Sequence, residues 1–175
     1  MDLLEAISAF DGKRVAPLEA FCDEAIFDEP LLRELVEICV HGETRQVTAA
    51  SWILLQFARQ NDKLVPELSK DLCRAFCESQ DWEPQLHMLQ AFSMFQLETE
   101  ERELAAQRCR ELSAAENKLV RAWALYGLVC IAKEDPAFRD EAQKLCEQGL
   151  DDPAASVRAR ARRLTKELEQ QARQD

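Results

Sequence analysis

LVRAWALYGL, from Leu119 to Leu128, and SVRARARRL, from Ser156 to Leu164, each carry a Val-Arg pair near their start. The two valines, Val120 and Val157, are 37 residues apart (157 − 120). Each pair stands where apolar residues begin to recur at spacings of three and four, which predicts the start of a helix. A phrase repeated at this distance indicates that one supersecondary unit recurs along the chain.

Cysteines mark a similar period. Four segments, each running from the end of one predicted helix into the next, begin with Cys39, Cys73, Cys109 and Cys146 and end with Val47, Leu86, Val120 and Val157. The spacings are 34, 36 and 37 for the cysteines and 39, 34 and 37 for the apolar residues. We therefore expect stacked helical hairpins whose cysteines and valines point inward at the seams. The arginine after each valine of the Val-Arg pairs should reach an acid or a carbonyl oxygen of the adjacent unit.

The amino-acid composition and the residues typical of helix ends favour an all-α fold. The 175 residues are rich in Leu, Ala, Glu, Arg and Gln, which are good helix formers, and 47% are hydrophobic. Asp152-Pro153 is typical of a helix start, Ser113 and Glu116 fit a capping box, and Gly149 fits a helix stop. The pattern predicts ten helices, at residues 2–10, 16–27, 30–41, 44–59, 64–78, 84–97, 100–112, 114–133, 137–148 and 154–173.

The last unit resembles a HEAT repeat. The resemblance is carried by Asp152-Pro153 before Val157-Arg158, followed one turn later by the small residues Ala159 and Ala161. Glu116 before Val120-Arg121 is a weaker match, and in earlier units Thr48 and His87 occupy the arginine position. The resemblance implies a right-handed α-solenoid of about five antiparallel hairpins, whose second (B) helices line a binding face. Residues 1–175 would form one repeat domain, with a capping hairpin at 1–28 and a capping helix at 154–175.

Charge and hydropathy narrow the class of partner. The net charge of −11 opposes binding to nucleic acid or anionic lipid. Residues 1–45 hold eleven acids and four bases (−7), whereas residues 154–175 hold six bases and three acids (+3). The longest apolar run, residues 122–132, is shorter than the ~20 residues of a membrane-spanning helix, and the N-terminus lacks a signal-peptide pattern. We expect a cytoplasmic protein whose seven cysteines are reduced thiols.

Motifs for catalysis and metal binding are weak. The chain has two histidines and none of the common nucleotide-binding, hydrolase or metalloprotease motifs, so we expect no enzymatic activity and no cofactor. Cys73 with Cys77, and Cys39 with His41, have metal-ligand spacing, but zinc needs four ligands and no metal is predicted. Because a cysteine recurs in four units, a small apolar residue at a helix contact explains it better. The resemblance leaves one alternative, a HEAT-fold DNA repair glycosylase or lyase-type enzyme.

The tryptophans suggest where a partner could bind. Trp123 follows Val120 by one turn and is expected in the core. Trp52 lies off the apolar face of its helix, on a second stripe that continues through Thr48, Leu55, His87, Ala91, Met94, Arg121, Leu125, Leu128, Arg158 and Arg162. If exposed, this stripe is a mixed apolar and basic groove suited to a peptide or helix. The alternative is that the B helices are buried on two sides.

Residues 158–166, RARARRLTK, hold five bases and no acid. They fit a polar cap, a contact with an acidic partner or, least well, a phosphate contact. They could also meet the acidic N-terminal end of a second copy, giving a self-assembling structural protein. The preferred hypothesis is a protein–protein interaction scaffold, with contacts at Trp52, His87, Arg121, Arg158 and Arg162.

Overall fold

The computed structural model describes residues 2–60 and 63–173, which form helices and connecting turns without a β-strand. The α-helices are α1 (Leu3–Ala9), α2 (Ala16–Glu24), α3 (Glu29–His41), α4 (Thr44–Ala58), α5 (Pro66–Glu78), α6 (Trp82–Gln90), α7 (Thr99–Leu112), α8 (Lys118–Glu134), α9 (Arg139–Gly149) and α10 (Ala155–Ala172). Two short 3-10 helices span Phe92–Met94 and Pro136–Phe138. Within these described ranges, the predicted all-α class and its ten helices are confirmed. Across the described ranges, no helix is long and apolar enough to cross a membrane.

Internal contacts divide the chain into two compact units, Met1–Glu98 and Thr99–Asp175. In the first unit, α4 is the central helix and packs against α1, α2, α3 and α6. In the second unit, α8 is the central helix and packs against α7, α9 and α10. A single repeat domain over residues 1–175, with its capping elements, stays a prediction.

The start of α8 differs from the prediction. The helix begins at Lys118, not at residue 114, and Asn117 caps it by accepting the N–H two residues later at 2.9 Å. The predicted capping box of Ser113 and Glu116 is wrong, because the Ser113 hydroxyl donates to the carbonyl oxygen of Arg110 at the end of α7 instead. The residues between the two helices form a turn that the arginine of the Val-Arg pair closes, as shown below.

Helix α6 ends at Gln90, seven residues before the predicted end at residue 97. The backbone beyond it is hydrogen-bonded to a distant segment. The carbonyl oxygen of Met94 accepts the N–H of Leu64 at 2.9 Å, and the N–H of Gln96 donates to the hydroxyl of Ser69 at 2.9 Å. The predicted continuation to residue 97 is wrong, because hydrogen bonds with Leu64 and with Ser69 of α5 hold this backbone. The spacing of apolar residues within one helix carries no information about such distant bonds.

The residues that mark the repeat lie inside the units. Cys39, Cys73, Cys109 and Cys146 are all buried, as are Leu86, Val120 and Val157, while Val47 is half-buried. The inward orientation predicted for the cysteines is confirmed. All seven cysteines lie in the described residues and none forms a disulfide. Burial raises the pKa of Cys39 and of Cys146 to about 12, so these thiols stay protonated and pack as small apolar groups.

Gly149 ends α9, as predicted, and lets three helices approach closely. A Cβ at this position would lie 2.8 Å from Cδ1 of Leu125 on α8 and 3.0 Å from Cβ of Ala161 on α10. Such distances are shorter than ordinary carbon–carbon contacts of about 3.5–4 Å. A glycine at the end of α9 therefore places the following turn, which contains Asp152, against α8.

Candidate functional site

The Val-Arg phrase recurs because its arginine closes the turn between two helices. In α8, Nη1 of Arg121 donates to the carbonyl oxygens of Ala115 and Glu116 at 2.8 and 2.9 Å. In α10, Nη1 of Arg158 donates to the carbonyl oxygens at the same relative positions, six and five residues earlier, at 2.7 and 2.9 Å. The hairpins α7–α8 and α9–α10 therefore share one local geometry at their turns.

Arg121 also joins the two hairpins to each other. Its Nε and Nη2 donate to the two carboxylate oxygens of Asp152, at 2.8 and 3.1 Å, and the same carboxylate accepts the N–H of Ala154 at 2.7 Å. The side chains of Arg121 and Asp152 are only 16% and 12% exposed. The Arg121 guanidinium holds the pKa of Asp152 below its usual value, so the pair is ionised at neutral pH. The expectation that the arginine of each Val-Arg pair reaches an acid or a carbonyl oxygen of the adjacent unit is confirmed for Arg121. It is wrong for Arg158, which bonds carbonyl oxygens of the turn in its own hairpin.

A half-exposed stripe runs along α8. Its members escape burial at spacings of four, three, four and three, which places them on one helix face: Leu119, Trp123, Tyr126, Cys130 and Lys133. The prediction that Trp123 lies in the core is wrong, because its ring is half-buried at the surface. Helix α8 is apolar around most of its circumference, so the sequence pattern alone does not identify the face that faces solvent.

Helix α10 adds cations beside these rings. The guanidinium carbon of Arg160 lies 3.6 Å from the centre of the Trp123 ring, and the Trp123 and Tyr126 rings meet edge-on with centres 5.2 Å apart. A cation over an indole face contributes about 0.5–2 kcal/mol. We use the name α8–α10 surface for six residues of these two helices: Trp123, Tyr126, Lys133, Arg160, Arg163 and Glu167.

Three further charged side chains on α8 and α10 complete the α8–α10 surface. Glu167 of α10 accepts from Lys133 of α8 at 2.8 Å and from Arg163 of α10 at 2.9 Å. Burial by itself would raise the pKa of Glu167, but the hydrogen bonds from Lys133 and Arg163 outweigh it and hold that pKa below its usual value. At neutral pH the surface thus carries three cations, including Arg160, against one anion.

The residues predicted as partner contacts occupy both units. Trp52 and His87 are half-buried in the first unit, Arg121 and Arg158 are half-buried in the second, and Arg162 is exposed. The other members of the predicted stripe are buried: Thr48, Leu55, Ala91, Met94, Leu125 and Leu128. These six residues fit the alternative interpretation, in which the B helices are buried on two sides. The predicted stripe is therefore not a continuous open groove.

His87 contacts a buried serine. Its Nδ1 lies 3.0 Å from Oγ of Ser51, which is 1% exposed and donates to the carbonyl oxygen of Thr48 at 3.1 Å. A serine–histidine pair can serve nucleophilic catalysis only where substrate reaches the serine, and here packing covers it. The contact ties α4 to α6. Burial, with a smaller effect from the charge of Arg59, lowers the pKa of His87 to about 4.

We expect the stability of the protein to fall as the pH falls from 6.5 to 4. Above pH 6.5 the imidazole of His87 is neutral in both states; below it, the unfolded chain takes up a proton that the folded chain excludes until about pH 4. The free energy of unfolding should decrease by as much as about 3 kcal/mol across this interval. Urea titrations of wild type and His87→Gln measure the difference. Parallel pH profiles for the two proteins would contradict the assignment.

Helices α7 and α9 border a separate, open cleft of about 520 Å³. Leu104 and Phe138 contribute apolar surface to it, and Glu100 and Glu103 contribute carboxylates. With Glu141 the lining holds three glutamates against one arginine, Arg110, so the cleft is acidic where the α8–α10 surface is basic.

The cysteine pairs considered as metal ligands gain no third ligand. In the part of the chain that the structure describes, no three His, Cys, Asp or Glu side chains lie close enough together to hold a metal ion. Cys73 is buried and Cys77 is half-buried on α5, and Cys39 is buried at the end of α3, where His41 is exposed.

Comparisons of the chain with models of known protein families, with curated proteins and with solved structures find no match. The functional interpretation therefore depends on the residues themselves. Sequence reasoning did not name Trp123, Tyr126, Lys133 or Glu167 as contacts, and it considered Arg160 and Arg163 only as part of the basic segment 158–166. One signal could have found four of these residues, because the offset of 37 between the Val-Arg pairs also relates Trp123 to Arg160 and Tyr126 to Arg163.

Proposed function

We propose that the protein is a non-enzymatic interaction scaffold whose α8–α10 surface binds a partner protein or peptide. The stack of Arg160 on Trp123 carries the proposal. Tryptophan, tyrosine and arginine are the residue types most enriched at binding hot spots, and here all three are adjacent and half-exposed. Because the stack is formed within one molecule, little side-chain entropy would be lost on binding.

The scaffold we propose is a HEAT-like stack of hairpins. Its support comes from the second unit, where α8 packs against both α9 and α10 and where Arg121 and Arg158 make the same turn contacts 37 residues apart. A stack of this kind keeps the partner-binding helices in a constant arrangement, which favours recognition without chemistry.

The α8–α10 surface suits a helical partner. Both of its rings belong to the half-exposed stripe of α8, whose members are spaced by four and three residues. A second helix presents its own side chains at the same spacing. Three cations against one anion favour acidic residues beside the apolar face of that helix. We therefore expect an amphipathic, acidic helix as the bound segment.

Replacing Trp123 by alanine is expected to weaken partner binding strongly. The change removes the central ring and leaves the Arg160 guanidinium without its stacking surface. Proteins captured from lysate by immobilised wild type would be quantified against those captured by Trp123→Ala, Arg160→Glu and Trp82→Ala. Trp82 is the matched control, since its side chain is 47% exposed in the first unit. For a purified partner, the Trp123 and Arg160 variants should bind at least about tenfold more weakly, and Trp82→Ala as tightly as wild type.

The contacts predicted from sequence in the first unit are tested in the same assay. Trp52→Ala is added as a further variant, and circular dichroism checks that every variant is folded. If Trp52→Ala lost the partners that Trp123→Ala retained, the binding surface would belong to the first unit and the α8–α10 surface would be rejected. Equal capture by all variants would reject both surfaces.

A further inference from the structure

Arg158 makes only half of the contacts that Arg121 makes. Both guanidinium groups are held through Nη1 by two turn carbonyl oxygens. The Nε and Nη2 of Arg121 then bind Asp152 of the next hairpin, whereas those of Arg158 donate to no residue that the structure describes. Because Nη1 of Arg158 is held by the turn, its Nε and Nη2 point in a fixed direction. Two such N–H donors side by side match the two oxygens of a carboxylate.

The helix face that contains Arg158 is uncovered. On α8, the residues that share a face with Arg121 are buried: Leu125, Leu128 and Ala132. The residues 37 positions later on α10 escape burial: Arg162, Thr165 and Glu169. We call Arg158 with these three residues and the exposed Lys166 the outer face of α10; Arg160 lies on the opposite side of the helix.

Asp11 offers the carboxylate that this edge fits. It lies in the turn between α1 and α2, as Asp152 lies in the turn between α9 and α10. Each aspartate accepts the N–H two residues later, that of Lys13 at 2.9 Å in one turn and that of Ala154 at 2.7 Å in the other. The Asp11 carboxylate also accepts the N–H of Arg14 at 2.8 Å, and its second oxygen lies 3.9 Å from Nε of Arg14. The Asp11 side chain is nevertheless 52% exposed, so a second molecule can reach it.

We propose that Arg158 of one copy binds Asp11 of a second copy, so that α1 and α2 of one molecule dock on the outer face of α10 of another. Charge complementarity supports this occupant. Helix α2 exposes Glu19 and Asp23, four residues apart on one face, and α10 exposes the cations Arg162 and Lys166. In the proposed contact the two acids would face the two cations. The contact is heterologous, so copies add head to tail. It does not use the α8–α10 surface and is independent of the proposed partner binding.

Association is tested by sedimentation velocity and light scattering of the full chain. At low ionic strength the mass of wild type should exceed the 20.0 kDa of one chain and increase with protein concentration. It should return to one chain in high salt, because the screening length falls to about 3 Å at 1 M. Arg158→Asp and Asp11→Arg should each weaken association at least about tenfold.

A chain that carries both R158D and D11R separates the ion pair from misfolding. The aspartate introduced in one copy can bind the arginine introduced in the next copy, so this double variant should regain association. Lys144→Asp, an equal change of charge at a lysine of α9, should associate as wild type does. Wild type that remains one chain at low salt, single reversed variants that still associate, or a double variant that stays dissociated would each overturn the proposal. None of these results bears on capture of a partner through Trp123.

Discussion

Replacing Arg121 by alanine is expected to lower the free energy of unfolding by about 2–4 kcal/mol. The change removes two charge-assisted hydrogen bonds to Asp152 and two to the carbonyl oxygens of the preceding turn. It also leaves a carboxylate that is 12% exposed without the cation that stabilises its charge. Urea titration followed by helical circular dichroism measures the loss.

Arg158→Ala is the matched control for this prediction. Arg158 makes the same two carbonyl contacts without the carboxylate, so its loss should cost about 1–2 kcal/mol. The difference between the two variants isolates the contribution of the pair of Arg121 with Asp152. Equal losses would show that the pair contributes nothing beyond the turn contacts.

Replacing Phe76 by alanine is expected to destabilise the first unit by about 3–5 kcal/mol. The Phe76 ring is fully buried and meets the Phe92 ring edge-on at 6.0 Å, and the Phe92 ring stacks on that of Phe95 at 4.9 Å. Removing the first ring leaves a cavity that this cluster cannot fill without moving backbone.

Phe27→Ala controls for the loss of an aromatic ring in the same unit. Its ring is half-buried and 5.7 Å from that of Phe57, so a smaller cost of about 1–2 kcal/mol is expected. Equilibrium urea unfolding compares the two variants. A cost for Phe76→Ala no greater than that for Phe27→Ala would show that the aromatic cluster does not hold α5 to the segment after α6.

The repeated turn could be predicted from the sequence because its cause is local. Arg121 and Arg158 bond carbonyl oxygens only five and six residues away, so the same phrase produces the same contact wherever it occurs. The sequence also predicts that Arg121 reaches an acid or a carbonyl oxygen of the adjacent unit, and the structure shows the acid. The location of the contact surface was harder to predict from the sequence. Trp123 fits the apolar pattern of α8, and only the exposed part of its side chain in the folded protein shows that it lies at the surface.

The all-α class, the ten helices of the described residues and the burial of the four repeat cysteines can be predicted from the sequence, because helix propensity, caps and apolar spacing act within one turn or two. Features that depend on distant partners appear only in the tertiary structure. It ends α6 at Gln90 through bonds to Leu64 and Ser69, buries the predicted stripe around Leu55 and Leu125, and leaves one edge of Arg158 open. The reason is that burial and long-range hydrogen bonding depend on which helices meet, and the local sequence of one helix does not contain that information.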